Sequence, residues 1–167
     1  MTTLASPQQR HPIQGYTHMA DDVIRFSHVR FGEQETTQDK VIVFPDGVPG
    51  FERHKQFALF EDPNSEPFQW FLSIENQELG FVVINPLCIW PEYDPKIGKE
   101  DLKSLEIKDT NEILIYSIVT LSDDPEHVTA NLSGPILINT SNRKARQLAL
   151  LDDRYTTKHK ILDAETV

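Results

Sequence analysis

Between residues 23 and 151 the chain is a succession of short β-rich runs, and this limits the fold more than any other feature. The runs are "VIRFSHVRF" (23–31), "KVIVF" (40–44), "QFALF" (56–60), "FQWFLSIE" (68–75), "LGFVVIN" (79–85), "EILIYSIVTL" (112–121), "HVTANLSGPILIN" (127–139) and "RQLALL" (146–151). All but the last are rich in β-branched and aromatic residues, and turn formers separate them, as in strands joined by hairpins. "NQE" between the fourth and fifth runs is hairpin-sized. The first run has two mixed faces, which suits an edge strand. "EILIYSIVTL" is long and apolar enough to be buried on both faces. Pro135 marks a strand start or an edge. Helical spacing occurs in "GKEDLKSLEI" (98–107), where Ile97, Leu102 and Leu105 recur behind acids in the first turn. "DDRYTTKHKIL" fits neither period. The expected fold is all-β: a small antiparallel β-barrel-like domain with one short helix.

The connection inside "VIVFPDGVPGFERHKQFALF" (41–60) is longer and stiffer than a hairpin turn. Pro45 and Pro49 fix φ and lack an N–H, while Gly47 and Gly50 can take positive φ. Such a loop holds Phe44 and Phe51 at defined angles, with Glu52 behind them. It reads as a corner whose phenylalanines anchor it to the core, or as a rigid contact surface.

With 167 residues, 38% of them hydrophobic and 25% charged, the chain is one soluble domain of ordinary size. Residues 1–21 are polar and aperiodic, a disordered leader or a remnant of a cloning junction. The domain spans 22–161 and a tail 162–167. No run is long enough to span a membrane as a helix, and one cysteine, Cys88, makes no internal disulfide, so the expected location is the cytoplasm. Cys88 lies among apolar neighbours in "INPLCIW" and is expected to be a buried, inert thiol.

The formal net charge of −10 opposes direct binding to nucleic acid. Residues 92–126 hold ten acidic against four basic side chains, a local −6, and residues 143–160 carry a local +4. An acidic face of this kind attracts a basic protein. Arg143, Lys144 and Arg146 are expected in an exposed hairpin turn. The six histidines show no metal-site spacing, and no nucleophile or phosphate-binding motif is present, so neither catalysis nor a cofactor is expected. Candidate binding residues are the rigid, polar and aromatic ones between strands: Phe44, Pro45, Gly47, Glu52, Asn85, Pro91, Glu92, Tyr93, Asp94 and Asn131. Tyr93 is placed at the surface by its acidic neighbours, and Trp90 in the core.

In order and spacing, "RFGE" (30–33), "VIVFPDGVPGFE" (41–52), "PFQWFLSIENQELGFVVINP" (67–86), "WPEYDP" (90–95), "ILIYSIVTL" (113–121), "TANLSGPILINTSNRKARQLAL" (129–150) and "YTTKHKI" (155–161) resemble the FliW flagellar assembly factors. The family pattern has a glycine where Ala145 stands. The resemblance implies a non-enzymatic, cytoplasmic protein with two protein partners; apart from it, a monomer is expected. It implies binding to flagellin and to the RNA-binding translational regulator CsrA, whose repression of flagellin synthesis is thereby relieved. Flagellin and CsrA would share the protein in a partner switch. The alternative is a split-barrel protein holding a small ligand or a flavin, with the basic turn as its phosphate grip.

Overall fold

The structure, a computed structural model, describes residues 22–162. Eleven strands occur among them: β1 (Val23–His28), β2 (Gly32–Thr37), β3 (Ile42–Val43), β4 (Gln56–Glu61), β5 (Gln69–Ser73), β6 (Gly80–Ile84), β7 (Ile113–Thr120), β8 (Thr129–Ala130), β9 (Ile136–Asn139), β10 (Ala145–Gln147) and β11 (His159–Lys160). One helix, α1 (Lys99–Ser104), lies where the apolar spacing predicts it. Its N-cap is Gly98, and the leucine that follows it, Leu105, is buried in the core. The expected leader, residues 1–21, lies outside the described residues, as does all of the tail beyond Leu162.

The main sheet runs β10-β9-β7-β6-β5-β4-β3, all antiparallel. β7 is its hub. One edge pairs with β6 (Val83↔Ile118), and the other pairs first with β9 (Ile115↔Leu137) and then with β8 (Val119↔Ala130). A strand flanked along both edges and covered on both faces needs a continuous apolar run, which "ILIYSIVT" supplies. The ladder is open rather than a closed barrel. Its two ends meet at one parallel bridge, Val43↔Lys144, where the Val43 N–H donates to the Arg143 carbonyl at 3.0 Å.

Strand alternation divides the apolar residues into two clusters on opposite faces. Ile42, Phe57, Phe71, Val83, Tyr116, Ile136, Ile138 and Ala145 form one, with members from every strand of the path, so the sheet curls around it. Trp70, Leu72, Val82, Ile84, Ile115, Val119 and Leu137 face the other way, beneath Leu105, Leu132, Leu148 and Ile161. Phe26 and Phe31 of the β1–β2 region pack there too.

Several expectations change. The first run ends as a strand at His28, turns back, and pairs only with β2 in a separate two-stranded sheet. "GEQETT" is a strand despite its polarity, because β1 supplies its whole ladder. Of the last run only Arg146 and Gln147 are strand, in β10 with Ala145, and "HK" in the ambiguous segment is β11, paired with β8. Pro135 immediately precedes β9, as a strand-start proline should. Cys88 is exposed, not buried: it sits in the 3₁₀ turn Pro86–Cys88, which follows β6.

Candidate functional site

The 44–52 loop is built by short-range hydrogen bonds. The Gly47 N–H donates to the Phe44 carbonyl at 2.9 Å and the Phe51 N–H to the Val48 carbonyl at 2.7 Å. The Lys55 ammonium donates to the Pro45 carbonyl at 2.8 Å. Gly47 and Gly50 have φ of +74° and +91°, in the region where side chains are strained. The Gly50 N–H donates to Glu52 Oε1 at 2.9 Å, and this bond, with that of the Glu52 N–H, holds the carboxyl below its usual range. Phe44 is 1% exposed, so its ring belongs to the core and not to a contact surface. The loop instead presents Phe51, 43% exposed and edge-on to Phe81 at 5.3 Å, flanked by exposed Pro45 and Glu52. Phe51, which the loop's sequence holds at a defined angle but which is not among the ten candidates, is thus the exposed aromatic, and Gly50 turns the chain just before it.

The second group surrounds residues 85–94. Asn85 caps the Pro86–Cys88 turn, its side chain accepting from the Leu87 N–H at 3.0 Å. Trp90 is half-buried against the core and meets His159 edge-on at 5.1 Å. Tyr93 is not at the surface. It is 5% exposed, donates its hydroxyl proton to the Leu132 carbonyl at 2.7 Å, and packs on Tyr155 at 4.7 Å. Burial first, then the neighbouring Tyr155 and Asp152, raises its pKa well above the usual phenol range. The polar neighbours Glu92 and Asp94 hid this, because the groups that bury the ring lie far along the chain.

Asp94 ties the same region down from outside. Its N–H donates to the Tyr155 hydroxyl at 2.9 Å, and its carboxylate pairs with Lys96 at 2.8 Å, which lowers its pKa. Arg154 grips Asp152 through two nitrogens, and this pair holds the Asp152 carboxyl down at about 2. Asn131 accepts from the Gly134 N–H at 2.8 Å, next to the Leu132 carbonyl that Tyr93 uses. The structure therefore brings residues 85–94 and Asn131 to one region. The 44–52 loop stands apart from it, since Phe44 and Val48 pack on one face of the sheet while Tyr93 and Leu132 pack on the other.

The basic turn is half-buried and internally engaged, not a free exposed hairpin. Arg143 Nη2 donates to the Lys40 carbonyl at 3.2 Å, Lys144 pairs with Glu106, and Arg146 reaches Ser104 Oγ at 3.1 Å and Asp101 at 3.5 Å. Cations held in this way are poor grips for a phosphate. The left-handed residue here is Arg143 (φ +61°), while Ala145 lies buried in β10 and needs no glycine. Two surface grooves, one beside β1–β2 and one between α1 and residues 148–152, are lined by none of the ten candidate residues.

These features define a small antiparallel β protein whose distinctive surfaces are preorganised loops on opposite faces of one curled sheet. The family model described as FliW protein matches residues 25–161, and the chain belongs to that family. It is 42% identical over 134 residues to the flagellar assembly factor FliW of Alkaliphilus metalliredigens, a match covering 80% of this chain and 83% of that one. It is 40% identical to the protein of the same name from Geobacter sulfurreducens, covering 80% and 84%. A crystal structure of the flagellar assembly factor FliW superposes with a TM-score of 0.75 at 32% identity, over 82% of this chain and 96% of that one.

Proposed function

We propose that this chain is a non-enzymatic, cytoplasmic flagellar assembly factor that binds CsrA, antagonising its repression of flagellin synthesis, and binds flagellin in a partner switch. The carrying observation is that relatives about 40% identical over four-fifths of the chain are named flagellar assembly factors. The two partners follow from the family resemblance. The net charge of −10 supports a basic, RNA-binding protein as one of them. The acidic stretch 92–126 contributes to that capture, with Pro91, Glu92 and Asp94 in the contact region beside Asn85 and Asn131. On the opposite face, Pro45, Phe51 and Glu52 form a stiff contact with one exposed aromatic anchor. Gly47 and Phe44 serve by shaping that loop from beneath. A rigid loop loses little conformational freedom on docking, which favours affinity.

The test is association kinetics with purified CsrA for Glu92→Lys. Glu92 is exposed and forms no ion pair among the described residues, so its reversal changes charge without removing an internal contact. Slower association with a flatter salt dependence supports the assignment of the surface. Unchanged rates place the interface elsewhere, and the 44–52 loop is the next candidate.

A further inference from the structure

The β1–β2 hairpin shares no ladder with the main sheet, so its attachment to the underlying turn and sheet face rests on the packing of Phe26 and Phe31 and a few contacts near its tip. The Val29 N–H donates to the Gln77 carbonyl at 2.9 Å. Phe31 packs on Phe60 at 4.5 Å and edge-on to Trp70 at 5.1 Å, and the Arg30 guanidinium lies 4.8 Å from the Trp70 ring. Between these sits His28, 6% exposed, its ring stacked on Phe31. It fits because Gly80 has no side chain: a Cβ there would stand 3.1 Å from His28 Nε2 and equally close to Leu72.

The Arg30 N–H donates to His28 Nδ1 at 3.2 Å, so the neutral ring carries its proton on Nε2. Nε2 is buried without a hydrogen-bond partner among the described residues. Among the described residues the neighbours of the ring offer no anion, and the Phe71 carbonyl beside Gly80 makes no hydrogen bond to Nε2. β5 presents Leu72, β6 presents Gly80, and the hairpin's own turn presents Phe31 and the cationic Arg30. No carboxylate pairs with the ring among the described residues.

We propose that His28 is a proton-sensitive latch, whose protonation releases the β1–β2 hairpin from the main sheet and uncovers the Phe60 and Trp70 face beneath it. Burial, and secondarily Arg30, lowers the ring's pKa in the docked state. The docked hairpin therefore binds fewer protons than the released one. Docking is at full strength above the ordinary histidine value near about 6.5 and weakens as pH falls through it, by up to about tenfold per unit. The fall stops once the docked ring's own lower pKa is passed.

Hydrogen exchange of the full chain from about pH 7.5 to 5, corrected for intrinsic rates, reads the latch directly, with tryptophan fluorescence as a second readout. The expected result is a progressive loss of protection, about tenfold per pH unit at most, confined to β1 and β2 amides, with a red shift from Trp70. β5–β7 amides keep their protection. His28→Leu removes the pH dependence. Should leucine disturb the sheet, as loss of β5–β7 protection would show, His28→Gln serves as the uncharged replacement and must give the same result. Constant β1–β2 protection in the unsubstituted protein overturns the latch. So does loss shared equally by β5–β7, or pH dependence retained in the uncharged variant.

Discussion

Gly47 and Gly50 share a left-handed backbone, yet their substitutions differ in cost. A Cβ on Gly47 would stand 2.5 Å from the Glu52 Cα and 2.8 Å from its carbonyl oxygen, while one on Gly50 meets nothing within 4 Å. Gly47→Ala should therefore cost about 2–4 kcal/mol, strain plus overlap with backbone, and Gly50→Ala about 1 kcal/mol of strain. Urea unfolding of the two variants separates the terms, and equal costs would refute the close approach at Glu52. Tyr93→Phe keeps the ring but strips the Leu132 carbonyl of its donor, at about 1–3 kcal/mol. The same phenol gives a pH prediction. Its folded-state pKa is raised, so the unfolded chain loses its proton first, and stability falls as pH rises through the ordinary tyrosine value near about 10. Tyr116, also raised by burial, adds to that fall, and Tyr93→Phe should make the alkaline limb shallower.

At the scale of elements, the β9–β10 turn offers a clean contrast. Arg143 holds φ +61° there, so Arg143→Gly should be more stable than Arg143→Ala by about 1 kcal/mol in thermal or urea unfolding, since both lose the same side-chain contacts. Equal stability would mean the turn relaxes out of the left-handed region. Which elements were legible follows from where their stabilisation lies. β3 through β7 and β9 carry apolar residues at strand period and can be read locally. β2 cannot, since "GEQETT" has no apolar face and exists as the partner of β1. The two-residue strand β8 exists between β7 and β11, and β11 depends on β8 across about thirty residues. The site divides the same way. The rigidity of the 44–52 loop is written in its prolines and glycines, while the burial of Tyr93 depends on Leu132 and Tyr155, and no local pattern records them. Cys88 misleads for a related reason: apolar neighbours in sequence place it inside, and a 3₁₀ turn points it out.

For the whole molecule, the acidic excess comes from composition, 26 Asp and Glu against 16 Lys and Arg. Lys96, Lys144, Arg146 and Arg154 all pair with carboxylates of this chain, whereas Glu92 forms no such pair among the described residues. If a net −10 steers a basic partner as proposed, Glu92→Lys should slow association with CsrA several-fold at low salt while leaving dissociation nearly unchanged. Equal association rates at two ionic strengths would remove the steering role. The central claim is a scaffold that trades one protein partner for another, and titration calorimetry tests it most directly. The purified chain is titrated with purified CsrA, then with purified flagellin, and finally with flagellin after saturation by CsrA. The account predicts saturable binding of each alone and displacement in the third titration. Failure to bind either protein would contradict it.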